Sequence, residues 1–361
     1  MKKKWILIPS LLLLTGLGVL FATPMGQPLR EELGPKVVVD KAMRTEAIDT
    51  LAATLNAHYV FPDKARQMET MLRQSQHDGK YDRITDGDQL ARQLTEDLRG
   101  VAQDLHMRVG FSRSAVPPDR VMGPRPTTKA EWQAQAPLPV RLWMGIYQHV
   151  ADFGVEKVEH LDPKVGYLKV SGFPPPFFAA DKYAAAMDQL ADTDGLIIDV
   201  RENGGGGPDT VALLASYFVD QRTRLNDIWD RNTGSSTQHW TQDQLAGKRY
   251  GGTKPVLILA GPHTRSAGED FTYTMQAMKR ATVIGAPSWG GAHPSRPYRL
   301  GEHFFAVVPD ARSISPITNS NWEGTGVLPD VAAKPDQALD VAREWMARRL
   351  NDKAKLATAA R

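Results

Sequence analysis

Apolar residues recur at helical spacing through the first third of the chain. Ile48, Leu51 and Leu55 fall at i, i+3 and i+7, and Ala65, Met68 and Leu72 continue the pattern. Leu90, Leu94, Leu98, Val101 and Leu105 carry it a third time. Pro62 stands where the second helix should begin, and Thr85 with Asp88 has the spacing of a capping box before the third. Residues 36–111 are therefore expected to form an N-terminal helical domain. Pro117, Pro118, Pro124, Pro126, Pro137 and Pro139 predict an irregular connection over 112–140.

From about residue 150 the period changes. Short apolar runs at 166–170, 196–200, 256–260, 282–284 and 304–308 read as strands. Helical stretches are expected at 179–190, 209–218, 267–278 and 337–350. Strand–helix alternation implies parallel pairing and an α/β core running to about residue 350. The tail 351–361 is polar and expected to fray.

The extreme N-terminus belongs to neither pattern. Lys2, Lys3 and Lys4 precede an apolar stretch, so residues 1–22 read as an export signal and 23–35, with three prolines, as a linker. Leu20 is large for a cleavage site at Ala22, so the alternative is an uncleaved anchor holding residues 5–21 in a membrane. Either way the expected location is periplasmic or extracellular. Without those three lysines, basic and acidic residues are equal in number, which gives no basis for nucleic-acid binding. The absence of cysteine excludes disulfides, thiolate metal sites and a cysteine nucleophile. No metal or other cofactor is expected, and self-association into a homo-oligomer is compatible with the composition.

Candidate chemistry centres on Ser266. An apolar run at 256–260 leads through Gly261 to Ser266, which opens the expected helix. Its Oγ would lie at the carboxyl end of a strand, where α/β sheets place ligands, beside helix N–H groups able to stabilise an oxyanion. This is the logic of a nucleophile elbow without the Gly-x-Ser-x-Gly spelling. The plainer alternative is a serine that only caps its helix. Four consecutive glycines at 204–207 follow the buried run 196–200. They could bring backbone donors close to an acyl oxygen. They lack the Lys-Ser/Thr of a phosphate loop and the spaced glycines of a dinucleotide turn. The serine needs a base. His106, at the junction after the helical domain, competes with His263 and His293, which lie nearer Ser266 in sequence. Glu323, beside Trp322 and flanked by glycine, could orient an imidazole. Glu269, one turn after Ser266, could assist, although acids are common in any first helical turn.

Together these segments resemble the tail-specific (C-terminal-processing) protease family, in its branch with tricorn protease and the interphotoreceptor retinoid-binding protein repeat. The resemblance runs from about residue 40 to 345. It rests on Tyr59-Val-Phe-Pro-Asp-Lys-Ala65, Asp104-Leu-His-Met-Arg-Val109, the Asp-x-Arg-x-Asn-Gly-Gly loop after Leu196, the segment Thr264–Phe271, and Trp322-Glu-Gly-Thr-Gly-Val with the Pro-Asp that ends at Asp330. It implies a crotonase-like ββα-spiral core behind the helical domain, within residues 112–350. It also implies a serine peptidase acting on a peptide or protein substrate. Ser266 would be nucleophile, His106 base and Glu323 its orienting carboxylate. Backbone N–H groups of Gly205 and Ala267 would form the oxyanion hole. Two features depart from the family. The stretch 287–293 lacks the lysine of a Ser-Lys dyad, and Leu105 replaces the hydroxyl residue expected before the histidine. No PDZ-like segment is evident between 112 and 165. The competing expectations are a non-catalytic binder of a retinoid- or lipid-like ligand, suggested by Phe173, Phe177, Phe178, Trp143, Trp240 and Trp289, and an esterase using the same site.

Overall fold

The computed structural model describes residues 36–117, 126–136, 138, 140–142, 144 and 152–359. The expected signal and linker, part of the proline-rich connection, and Trp143 lie outside the described residues. Three helices open the chain: α1 (Lys41–His58), α2 (Pro62–His77) and α3 (Gly87–Ala102). Asp40 caps α1 by accepting the Met43 N–H, and Pro62 begins α2 as its fixed φ allows. The expected Thr85–Asp88 box is not the cap of α3. Asp86 takes that place, its carboxylate accepting the Gln89 N–H at 2.7 Å. Helix α3 also stops earlier than the apolar spacing suggested. Gln103 turns left-handed at φ 59°, and Leu105 lies beyond the helix.

The N-terminal unit is not purely helical. Strand β1 (Arg108–Phe111) pairs antiparallel with β10 (Phe304–Pro309), which pairs with β9 (Ser295–Arg299). Leu300, Phe304, Ala306 and Val308 are buried in the same core as Leu51, Leu55, Leu94 and Leu98. The helices therefore close their core with a strand drawn from the far end of the chain. Within the proline-rich connection a short helix, α4 (Lys129–Gln135), forms behind a Thr128–Glu131 capping box, where only irregular chain was expected.

The central sheet has the order β12-β8-β7-β4-β3-β2. Strands β3 (Val165–Val170), β4 (Gly195–Asp199), β7 (Val256–Ala260), β8 (Thr282–Gly285) and β12 (Val331–Ala332) run parallel, and β2 (Val155–Asp162) pairs antiparallel at one edge. Alternation sorts the side chains. Leu168, Ile198, Ile258 and Val283 face α5 (Pro176–Leu190), α6 (Pro208–Ser216) and α7 (Ala267–Ala277). Tyr167, Ile197, Leu257 and Ile284 face the terminal helix α8 (Ala338–Ala359) through Ala338, Ala342 and Met346. Helix α8 continues well past residue 350, so most of the expected frayed tail is helical. A separate antiparallel sheet, β11-β5-β6, comprises β5 (Arg224–Asp230), β6 (Ser235–Trp240) and β11 (Ala311–Ile314). Their residues are largely polar, which hid β5 and β6 from a search for apolar runs.

Because β10 completes the helical core, the two parts should melt together. Phe304→Ala removes a fully buried ring from that shared core, and the expected cost is about 3–5 kcal/mol. Urea denaturation followed by both fluorescence and circular dichroism should give one transition, shifted to lower urea in the variant. Two separated transitions would contradict the shared core.

Candidate active site

Ser266 sits at the junction of the turn after β7 and the start of α7, with φ 50° and ψ −115°. Positive φ is unfavourable for a residue with a Cβ and costs about 1–3 kcal/mol. The cost is carried because its surroundings fix the turn. The Thr264 hydroxyl donates to Val200 O at 2.8 Å, and the Arg265 N–H donates to Asn203 O at 2.9 Å. Asn203 is fully buried, and its Nδ2 donates to Val170 O at 2.9 Å. The asparagine of the Asp-x-Arg-x-Asn-Gly-Gly segment thus ties the glycine loop to the serine turn.

Glu269 is the second fastening. It is fully buried in the first turn of α7. Its carboxylate accepts the Ser266 N–H (2.9 Å), the Ser288 hydroxyl (2.6 Å), the Gly290 N–H (2.5 Å) and the Gly291 N–H (3.1 Å). Burial pushes its pKa upward, while these donors oppose the shift. Its role is larger than that of an ordinary first-turn acid, since it binds the serine turn to the loop after β8. That loop is in turn zipped to the Glu323 segment. Val327 N–H donates to Ser288 Oγ (2.7 Å), Gly324 N–H to Gly290 O (2.9 Å) and Trp322 Nε1 to Gly291 O (2.9 Å).

The glycine loop corrects one expected role. The Gly205 N–H is already donated to Asn203 Oδ1 at 2.9 Å, so it is not available to an oxyanion. The next N–H, of Gly206, donates no hydrogen bond among the described residues, and Gly206 lines the cleft with Ser266 and Ala267. The Ala267 N–H is likewise uncommitted at the start of α7. Gly206 and Ala267 are therefore the pair of donors the cleft offers. Gly206 has φ 144°, and a Cβ there would lie 2.0 Å from Phe173 O. No other residue fits that turn without moving the loop.

His106 also lines this cleft. It follows the left-handed end of α3 in a turn held by Asp104, whose Oδ1 accepts the His106 N–H at 3.0 Å. Arg99 donates to Leu105 O and Met107 O on either side. The ring meets Trp289 edge-on at 4.9 Å between centroids. A Cβ at residue 291 would come within 2.7 Å of its Cε1, so the imidazole approaches the loop only because Gly291 stands there. Burial strips water from the charged form and lowers the His106 pKa to about 4. Its Nδ1 is buried without a partner. No hydrogen bond joins it to Ser266 Oγ among the described residues; such contacts commonly tighten only with substrate in place.

Glu323 does not take the place expected of it beside His106. Its Oε2 accepts the Ala292 N–H at 2.5 Å and stands 3.4 Å from Nδ1 of His293. Its Oε1 is buried without a partner. Burial, reinforced by the nearby Asp104 carboxylate, raises its pKa to about 7. His293 is buried, and its Nδ1 is hydrogen bonded to Asp104 Oδ2 at 2.7 Å. Asp104 therefore holds the His106 backbone with one oxygen and His293 with the other. The sequence singled out neither Asp104 nor this link. Its signal was an aspartate two residues before a histidine at a helix end, a common turn arrangement. Asp104, His293 and Glu323 bring donor atoms within 4.8 Å of one another, the spacing a small cation would need. The 2.7 Å contact is a hydrogen bond that already satisfies two of them. His263 is exposed and belongs to a different depression, with Tyr167 and Arg201.

Trp143 lies outside the described residues, and the other aromatics expected to hold a lipophilic ligand are spread over different surroundings. Phe173 is in the central core, Phe178 stacks on Phe153, Trp240 lies on the surface beneath Arg222, and Trp289 packs on His106. The cleft itself encloses about 540 Å3 and carries Asp230, Asp270, Asp310, Arg296 and His239. Glu269→Ala should leave four buried donors without their acceptor and cost about 3–5 kcal/mol, seen as a lower melting temperature. Gly206→Ala should force the glycine loop away from Phe173 O and carry the Gly206 N–H out of the cleft, seen as a lowered melting temperature together with weakened reaction with an acylating or phosphonylating probe.

Comparison with known proteins fits this geometry. Residues 164–333 match the model for peptidase family S41, and residues 37–137 match the N-terminal domain of peptidase S41 in eukaryotic IRBP. The chain is 27% identical over 176 residues to the carboxy-terminal processing protease CtpB of Bacillus subtilis, covering 48% of this chain and 35% of that protein. It is 28% identical over 141 residues to the tricorn protease of Thermoplasma volcanium, covering 39% of this chain and 12% of that protein. The chain thus spans about a third or less of the length of these relatives. Among solved structures, a lipoprotein from Streptococcus agalactiae superposes with a TM-score of 0.55 at 11% identity, covering 85% of this chain and 96% of that one. The tricorn protease superposes at 0.53 with 12% identity, covering 86% and 37%. The mixed α/β architecture with N-terminal helices is that of these solved structures and has the expected crotonase-like core. The chain belongs to peptidase family S41, with an N-terminal domain of the IRBP type.

Proposed function

We propose that this protein is a serine peptidase that cleaves peptide bonds through an acyl-enzyme on Ser266, with His106 as the general base. The observation that carries the reading is the strained Ser266 turn, opening on one cleft with the His106 imidazole and two uncommitted backbone N–H groups. His106 takes the Ser266 proton as Oγ attacks the carbonyl carbon. The oxyanion is held by the N–H groups of Gly206 and Ala267, aided by the positive end of α7. The protonated imidazole then gives its proton to the leaving amine, and water, activated by the same imidazole, releases the acyl group. The names of the relatives point to substrates cut near their carboxyl termini. An ester would be attacked by the same groups. The charged lining of the cleft favours peptides over the retinoid- or lipid-like ligand of the competing expectation.

Export is part of this proposal. It rests on Lys2, Lys3 and Lys4 before the apolar stretch. No helix among the described residues is long and apolar enough to cross a membrane.

A fluorophosphonate probe should label the folded protein at Ser266. Ser266→Ala should abolish labelling and turnover, and His106→Ala should lower kcat by about 10²–10⁴-fold. Labelling that survives Ser266→Ala would overturn the assignment. The pH dependence follows from burial of His106. The base works when neutral, and its pKa is held near 4, so kcat/KM should fall only below about pH 5. Glu323→Gln should leave that acid limb in place, because Glu323 contacts Ala292 and His293 rather than the His106 ring. An acid limb near 7 that moves in Glu323→Gln would mean that the two side chains engage during catalysis.

A further inference from the structure

The cleft beside Ser266 has a built polar wall that the proposed chemistry does not use. Asp270 lies four residues along α7 from Ser266, about 6 Å up the axis and about one turn on. Both residues line the cleft. Asn226 Nδ2 donates to Asp270 Oδ1 at 2.6 Å, and Thr274 stands beside the same oxygen. These contacts fix the carboxylate in place, and no hydrogen bond to its Oδ2 is formed among the described residues. His239, on β6, is close enough to act on Asp270 electrostatically, and its Nδ1 is buried without a partner. The rest of this wall is small or apolar: Gly206, Pro208, Ile228 and Ala267. Across the cleft, Arg296 is already spent on Asp230 and Asp310. Asp270 is thus a fixed carboxylate with no lysine or arginine paired to it among the described residues, on the same cleft as the nucleophile and with His239 as its titratable neighbour.

We infer that Asp270 selects the substrate residue on the acyl side of the scissile bond, favouring a lysine or arginine side chain whose cationic end reaches its free oxygen. The inference rests on the peptidase reading above and names its substrate class. A desolvated carboxylate rewards a cation and penalises an apolar or acidic side chain that leaves it unpaired. The extended stem of lysine or arginine passes over Ala267 and Ile228, and its charge meets Asp270.

The test uses the full chain and a set of fluorogenic peptides that differ only in that residue: Lys, Arg, Ala, Leu and Glu. Labelling by a neutral fluorophosphonate is read in parallel. The expected result is a kcat/KM at least about tenfold higher for Lys and Arg than for Leu or Ala, with Glu the poorest. Asp270→Asn keeps an acceptor for Asn226 and should label normally while losing the preference for Lys and Arg. Asp270→Glu keeps the charge and should retain part of it. A wild-type protein that labels yet cleaves Leu or Ala peptides as fast as Lys peptides overturns this inference and leaves the peptidase reading standing. So does an Asp270→Asn variant that keeps the full preference. A folded wild-type protein that neither labels nor cleaves overturns both.

Discussion

A single buried carboxylate holds the site together. Glu269 gathers the Ser266 N–H and three donors of the loop after β8, joining two segments that are otherwise only neighbours in space. Its burial is costly for a charge, and the four hydrogen bonds with the positive start of α7 offset that cost. The consequence is mechanical. With the Ser266 N–H fixed from one side and Asn203 holding the glycine loop and Arg265 from the other, the serine is kept at a φ that its side chain disfavours. The same loop delivers Gly291 and Trp289 to the His106 ring, so nucleophile and base are positioned by one element.

The base side obeys a parallel logic. Asp104 fastens the His106 backbone and His293 together, and the Glu323 segment is tied through Trp322 and Gly324 to the neighbouring carbonyls of Gly291 and Gly290. Two carboxylates, Asp104 and Glu323, flank one buried imidazole, His293. That crowding of acids, together with burial, is why Glu323 holds its proton to about pH 7. His106 stands outside this trio, and burial strips water from its charged form, which keeps the ring neutral far into acid while making it a weaker base than a free imidazole.

Much of this was legible before any coordinates. The parallel strands were visible because both faces are covered, so each strand is a continuous apolar run such as Leu196–Ile197–Ile198. Ser266 stood out because a strand, a glycine and a helix start surround it. Strands β5 and β6 were not legible, since their polar residues line a cleft or face solvent. The cap of α3 was misplaced by one residue because Thr85 and Asp86 both have capping side chains, and only the backbone path selects Asp86. The choice between Gly205 and Gly206 as donor depends on where one asparagine side chain points, which four glycines in a row do not encode. Glu323 and His293 were both singled out in the sequence, but their pairing was not, because it spans segments that meet only in the folded chain.

The most direct test is a crystal structure of the protein reacted with a peptidyl aldehyde or boronate. The account predicts a covalent bond to Ser266 Oγ and an adduct oxygen about 3 Å from the N–H groups of both Gly206 and Ala267, with the His106 ring at hydrogen-bonding distance from the adduct. An adduct on another residue, or an oxygen directed away from those two N–H groups with His106 remote from it, would contradict it.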